Sequence, residues 1–352
     1  MPNSPKKVFI DANVLIQTGK PPGGPIFDRI LDLVEAGFIE VLTTDLTKAE
    51  VAKKYAQNDY DVIKEIGRPH FRKIASVIEG VELPEVTKAE IKEKLRNKYV
   101  DETEAMFRNL NAKELSIDSV APTNVFTDYT NETGFFSGEV KKDQFPDAFI
   151  FECLKKEASS DTPVIIISND GDFQVPCISQ EHITILKTIP DLFKNLGLVV
   201  EAPDIEGFLE EHQEEVVKMV DGELSNWALQ AIDVEDGETD ETTVKNVCFT
   251  QLMSFGQGAE GKGILVVGKI EITADATYTH PSWDTAIYDS EDKVLIPFES
   301  VNGETEIELE ADFSMSLSVD DEGRPAAIDE FNFRNDEFIW INLYSNEAWG
   351  YK

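Results

Sequence analysis

The sequence predicts an α/β domain over residues 1–200, a parallel sheet flanked by helices, followed by a helix plus mainly antiparallel β domain over residues 201–352. Three observations carry this. Short β-branched runs alternate with helical stretches as far as residue 200, the pattern of a parallel sheet. Beyond residue 244 apolar residues recur at every second position, the period of half-buried strands. The charge is also split: the 352 residues carry 32 basic and 68 acidic side chains, yet residues 201–352 hold only 8 of the former and 36 of the latter. The length agrees with two domains, and 41% hydrophobic residues exclude a disordered chain.

Val8-Phe9-Ile10 is the first strand, ending at Asp11. Ile26, Ile30, Leu33 and Val34 share one face of a helix over 25–36 that stops at Gly37. A second strand over 39–43 leads into a helix over 44–56. A charged helical insertion over about 59–110 is punctuated by Gly67, Pro69, Gly80 and Pro84, and 116–144 reads as loop. The next helix, 146–157, opens with proline, whose missing N–H costs nothing in a first turn. Residues 163–168 form a buried strand, unalternating and β-branched. A fourth strand over 182–186 and a helix over 190–196 close the domain. Then 203–232 reads as one long helix and 233–243 as an acidic linker. Strands follow over 264–273, 293–298, 304–319 and 338–344; Ile307, Leu309, Ala311, Phe313, Met315 and Leu317 share one face.

Four acids stand where an open parallel sheet places its active site, at the carboxyl ends of strands. Asp11 ends the first strand, Glu50 lies in the helix after the second, Asp147 opens its helix, and Asp170 follows the Ile-Ile-Ile-Ser strand. Taken singly, each has a plainer use: a turn residue, a solvated helix charge, a helix N-terminal acid, or Asn-Asp-Gly-Asp turn chemistry. Converging together, carboxylates repel one another unless a cation lies between them. A hard cation such as Mg²⁺ or Mn²⁺ suits oxygen ligands and keeps waters for a phosphate.

Phe-Ile-Asp-Ala-Asn-Val-Leu, Ala-Glu-Val, Asp-Gln-Phe-Pro-Asp-Ala and Ile-Ser-Asn-Asp-Gly-Asp-Phe, in that order, resemble the PIN-domain nucleases over residues 6–195. The stretch from Val125 to Ala148 is similar to the PIN-like subgroup with an extra C-terminal region. The resemblance implies a PIN-like sheet whose metal-coordinating acids are Asp11, Glu50, Asp147 and Asp170, with Asn13 beside the first and Ser168 before the last. Asp172 and Asp143 match more variable positions. The implied activity is Mg²⁺- or Mn²⁺-dependent hydrolysis of phosphodiester bonds, most often in RNA, by a toxin-like or defence-type endoribonuclease. The long charged insertion departs from the pattern and leaves substrate choice open. Two alternatives stand beside this reading: a structure-selective DNA nuclease, and a catalytically silent PIN-like scaffold that binds RNA or protein.

Lys88, Lys92 and Arg96 repeat every four residues, so one helix face either guides a phosphate backbone or is solvated and paired with Glu90 and Glu93. Arg68, Arg72 and Lys73 form a smaller group. Lys141 and Lys142 are phosphate-contact candidates for their closeness in sequence to Asp147. Phe135 and Phe136 either stack on bases or anchor their loop. The acidic second domain repels a polyanion, so RNA or DNA must meet the first. That domain keeps the chain soluble, binds a second copy or a regulatory protein, or lies across the basic insertion as an autoinhibitor. No apolar run reaches membrane-span length, and Asp11 interrupts the first apolar stretch, which points to a cytoplasmic protein. Cys153, Cys177 and Cys248, odd in number and far apart, agree with a reducing compartment.

Overall fold

The computed structural model describes residues 5–18, 23–79, 81–137, 144–174, 176, 180–199, 205–227, 229–256, 263–289, 294–297, 299–334 and 339–344. The chain divides into two compact units, Met1–Gly197 and Leu198–Lys352.

In the first unit β1 (Lys6–Ile10), β2 (Ile39–Thr44), β3 (Lys113–Leu115), β4 (Val164–Ile167) and β5 (Ile183–Leu186) form one sheet in the order β3-β2-β1-β4-β5. Every pairing is parallel, with Phe9 opposite both Leu42 and Ile166. Val8, Phe9, Ile10 and all of β4 are buried, as a sheet covered on both faces requires. Eight helices flank the sheet among the described residues: α1 (Ala12–Ile16), α2 (Pro25–Glu35), α3 (Asp45–Ile63), α4 (Pro69–Glu79), α5 (Lys88–Asn109), α6 (Pro122–Asn131), α7 (Phe145–Glu157) and α8 (Ile189–Asn195). One core joins Phe9, Leu42, Val164 and Ile166 of the sheet to Ile150, Phe151 and Leu154 of α7.

The sequence reading expects four strands and misses β3, and it misplaces two further features of this unit. Residues 116–144 are not loop throughout: α6 occupies Pro122–Asn131, and single 3₁₀ turns lie at Ile117–Ser119 and Gly134–Phe136. Its sequence, with three threonines and two asparagines in ten residues, has poor helix propensity, so packing has to supply its stability. Val125 is buried, and the rings of Phe126 and Tyr129 lie 5.4 Å and 5.1 Å from that of Phe145. Phe135 and Phe136 are also buried and belong to this core, so they anchor the segment rather than offer rings to bases. The second difference is α3, which continues to Ile63 before a tight turn, Lys64–Gly67.

The insertion is clasped at its base. A Cβ on Gly67 would lie 2.7 Å from Lys88 Cγ and 2.9 Å from the Lys88 backbone nitrogen. Arg72 Nη1 donates to the carbonyls of Ile66 (2.8 Å) and Val86 (2.9 Å), tying the start of α4 to the segment entering α5. Higher up, Tyr55 of α3 stacks on Tyr99 of α5 with centroids 5.5 Å apart. Gly67→Ala is therefore expected to destabilise the first unit by about 1–3 kcal/mol, the cost of forcing backbone apart. An unchanged urea midpoint would show that the clasp has room for the methyl group.

In the second unit β6 (Leu229–Ala231), β7 (Glu238–Gly256), β8 (Gly263–Pro281), β11 (Ser300–Val319), β12 (Pro325–Phe333) and β13 (Ile339–Ile341) form a sheet in the order β12-β11-β8-β7-β6-β13. Its pairings are antiparallel except for the parallel pair of β6 with β13. A separate two-stranded ribbon joins β9 (Ile287–Asp289) to β10 (Val294–Ile296). Ile307, Leu309, Ala311, Phe313, Met315 and Leu317 are all buried, as their alternation predicts. They pack with Phe208, Val216, Val220 and Leu224 from two helices, α9 (Ile205–Glu211) and α10 (Gln213–Leu224). These replace the single helix expected over 203–232. The chain leaves helical geometry at His212 (φ −106°, ψ 22°), and Leu229 already belongs to β6. The expected acidic linker over 233–243 likewise gives way to β7 from Glu238 onward. Among the described residues no helix is long and apolar enough to cross a membrane.

Candidate functional site

Strand order locates the site. The chain steps from β1 to β2 and β3 on one side, then returns to β4 and β5 on the other. β1 and β4 therefore flank the point where the winding reverses, and the crevice beyond their carboxyl ends is where such sheets bind ligands. Asp11 follows β1 directly and Ser168 follows β4.

Local geometry holds Asp11 firmly. Its backbone N–H donates to the Ile167 carbonyl (2.9 Å), carrying the β1–β4 pairing one step past the strand ends. Its side chain caps α1, accepting from the Ala12 N–H at 2.8 Å, and its second oxygen accepts from the Ser168 hydroxyl at 2.6 Å. Ser168 Oγ in turn accepts from the Asp170 N–H at 3.1 Å. Asp170 caps a 3₁₀ turn, Gly171–Phe173, through the Asp172 N–H at 2.8 Å. One chain of hydrogen bonds thus runs from Asp11 across the switch point to Asp172.

Glu50 projects from the second turn of α3, whose start is fixed by Thr44 accepting from the Thr47 N–H at 3.0 Å. Asp147 lies in the first turn of α7, beside Pro146, where the helix dipole favours a negative charge.

The acids reveal their proximity electrostatically. Burial first, then the charges of Glu50 and Asp170, raises the Asp11 carboxyl from 3.8 to about 6 despite the Ser168 and Ala12 hydrogen bonds. Burial also pushes Asp147 up to about 7, with further repulsion from Asp11, Glu50, Asp170 and Asp172. Glu50 is raised by loss of water around its carboxyl although part of its side chain stays exposed, and Lys53 opposes the rise. The structure therefore brings together Asp11, Glu50, Asp147, Asp170 and Asp172, drawn from four separate segments. Lys88, Lys92 and Arg96 are not among the main influences on Asp11 or Asp147. They stand on α5, where Lys92 Nζ lies 4.5 Å from the centre of the Tyr60 ring. Lys141, Lys142 and Asp143 fall outside the described residues.

Two amides complete the site. Asn13 Oδ1 is buried and meets no hydrogen-bond donor among the described residues. Gln144, at the N-terminus of α7, donates Nε2 to Asp172 while its own buried Oε1 also lacks a donor. Sequence reading missed Gln144; the signal available was a polar residue three positions before Asp147, inside the Asp-Gln-Phe-Pro-Asp motif. Buried orphan oxygens are costly, and here both stand in the segments that bear the repelling carboxylates. An oxygen-rich, electron-rich set of this kind fits a hard divalent cation and its waters. Among the described residues no three acidic, histidine or cysteine side chains already form a ligand cage, so water would complete the coordination.

The parallel sheet with an acid cluster at its switch point defines an α/β fold built to handle a charged ligand. Residues 8–173 match the family model described as the PIN domain, a span that holds all five acids and both amides. This stretch of the chain is a PIN domain, a nuclease fold whose members are generally metal-dependent and act on nucleic acid. No curated protein and no solved structure matches the chain.

Proposed function

We propose that the protein is a metal-dependent endoribonuclease in which Asp11, Glu50, Asp147 and Asp170 hold Mg²⁺ or Mn²⁺, with Asp172 as a further ligand. The observation that carries this is the gathering of acids at one switch point, where burial first and then the neighbouring carboxylates raise Asp11 to about 6 and Asp147 to about 7. Above about pH 7, where these carboxyls lose their protons, a compensating positive charge relieves the repulsion. When bound, the cation supplies Lewis-acid stabilisation of charge developing on the scissile phosphate.

The chain's own residues then have separable tasks. Ser168 and the Ala12 N–H orient the Asp11 carboxylate. Asn13 Oδ1 and Gln144 Oε1 accept hydrogen bonds from water or from substrate hydroxyls, which would satisfy their buried oxygens. Exposed Lys92 and Arg96, with half-buried Lys88, line α5 and attract a polyanionic backbone. RNA is favoured over DNA through the PIN resemblance, and a toxin-like or defence role rests on the same resemblance; a cytoplasmic location rests on Asp11 in the first apolar stretch and on three scattered cysteines.

Cleavage of labelled tRNA, mRNA and single-stranded DNA with Mn²⁺ or with EDTA tests the proposal. The expected result is cation-dependent cutting of RNA, lost in Asp11→Asn/Asp147→Asn. Cutting of DNA alone would replace the substrate class, and no cutting by folded protein would turn the reading to a silent scaffold. Ser168→Ala removes the hydroxyl that orients Asp11 and is expected to weaken apparent Mn²⁺ affinity by about 10–100-fold. Titration of Mn²⁺ against the full chain reads this, and an unchanged midpoint would take Ser168 out of the site.

A further inference from the structure

The second unit leaves one long strand edge open. β7 pairs with β8 from Glu238 to Gly256, but on its other side it meets β6 only at Glu238, opposite Gln230, and Val199 only at Phe255. Among the described residues no strand covers that side between these two points. A groove of 510 Å³ runs beside this edge. One wall is formed by α9 and α10, where Glu206, Leu209, Glu210, Gln213 and Val216 recur every three or four residues. On the opposite wall Val247, Cys248 and Phe249 of β7 all border it. Successive residues of a strand point to opposite faces, so a cleft touching all three follows the edge of the strand rather than one face. Gln213 Nε2 donates to Asn246 Oδ1 at 3.2 Å and ties helix to strand beside it.

The chemistry of the walls identifies the occupant. The floor is apolar: Leu209, Val216 and Val247 are buried, and the partly buried Phe249 and Leu252 pack on the same core. Around it α9 and α10 carry seven acids against one base, Lys218. Glu206 and Glu210 border the groove, are exposed, and pair with no base among the described residues. The lysine of β7, Lys245, is already held by Asp275 (2.6 Å) and Glu306 (2.9 Å). An open edge offers backbone N–H and C=O groups to an extended chain, and the pockets beside it select alternate side chains. Here they select apolar side chains toward the floor and cationic ones toward Glu206 and Glu210. Residues 201–352, with 8 basic and 36 acidic side chains, repel nucleic acid, an anionic membrane and a second copy of the unit alike, and draw in a polycation.

We propose that this groove is a docking site for an extended basic segment of another protein, which adds to the open edge of β7 as an extra strand. Its alternate apolar side chains fill the space over Val247 and Phe249, and its lysines or arginines meet Glu206 and Glu210. The second unit thereby recruits a basic protein, whether or not the first unit cleaves RNA.

The probe is a fluorescein-labelled peptide of alternating lysine and valine, and fluorescence anisotropy with the full chain reads its binding. The expected dissociation constant is about 10–100 µM, with no detectable binding of the glutamate–valine counterpart. Methylating alternate backbone nitrogens of the probe blocks strand pairing and should weaken binding by about tenfold or more. Glu206→Lys/Glu210→Lys should weaken it by about as much. Glu304→Lys/Glu308→Lys makes the same change of charge on β11, beyond β8 from the groove, and should leave binding within about twofold. All four glutamates are exposed, so far-UV circular dichroism should confirm an unchanged fold in both variants. No binding of the lysine–valine peptide up to about 1 mM overturns the proposal, as does a methylated peptide that binds equally well. Equal loss in the two variants would reduce binding to bulk charge and remove the groove. Displacement of the peptide by single-stranded RNA would give the groove to nucleic acid instead.

Discussion

Replacing Asp11 with Asn is expected to abolish cleavage while making the cation-free protein more stable at pH 8. The two effects share one cause. Asp11 is 6% exposed, and burial together with the charges of Glu50 and Asp170 raises its carboxyl from 3.8 to about 6. An acid whose pKa is higher in the folded state binds protons more tightly folded than unfolded, so stability falls as pH rises between the two values. The penalty is absent below about pH 4 and complete above about pH 6, where it amounts to about 3 kcal/mol for a carboxyl raised this far. Asn keeps the shape without the charge. It should therefore gain a sizeable part of that energy at pH 8 and show no advantage at pH 4. Cleavage should fall by at least about 10³-fold, as when a group stabilising transition-state charge is removed. Urea midpoints of both proteins at pH 4, 6 and 8 in EDTA test the stability half. A variant less stable than wild type at every pH would show that the hydrogen bonds to Ala12 and Ser168 matter more than the repulsion.

Mn²⁺ should stabilise the first unit strongly at pH 8 and hardly at pH 5. A ligand at a hundredfold excess over its dissociation constant contributes about 2.7 kcal/mol, or roughly 5–10 °C for a unit of this size. At pH 5 the carboxyls raised to about 6 and about 7, Asp11 and Asp147, hold protons, and a cation must displace them to bind. The shift should shrink through that interval and disappear in Asp11→Asn/Asp147→Asn. Thermal melts with Mn²⁺ or EDTA across the pH range measure it. A pH-independent shift would place the cation at acids whose protonation is not raised.

Much of the fold was legible because its signals are local. β1 and β4 are apolar runs buried on both faces, and the alternation from Ile307 to Leu317 matches the buried side of β11. What escaped depended on distant partners. α6 is built from poor helix formers and rests on Phe145 and the core beneath it. The break at His212 is not marked by glycine or proline, and the residues after Leu224 pass into β6.

The site divides in the same way. Its acids could be found in the sequence because strand ends in a parallel sheet point to one crevice, so Asp11, Asp147 and Asp170 are marked by the strands and helices they adjoin. Gln144 carries no such marker, and only its bond to Asp172 and its orphaned oxygen bring it into the site. By itself the sequence determined the α/β class, the split of charge and the acids at the strand ends, all properties of periodicity and composition. The tertiary structure alone decided which of those acids repel one another, which amides stand unsatisfied beside them, and that a groove opens along the edge of β7. Burial and proximity arise only when segments distant in sequence are packed together.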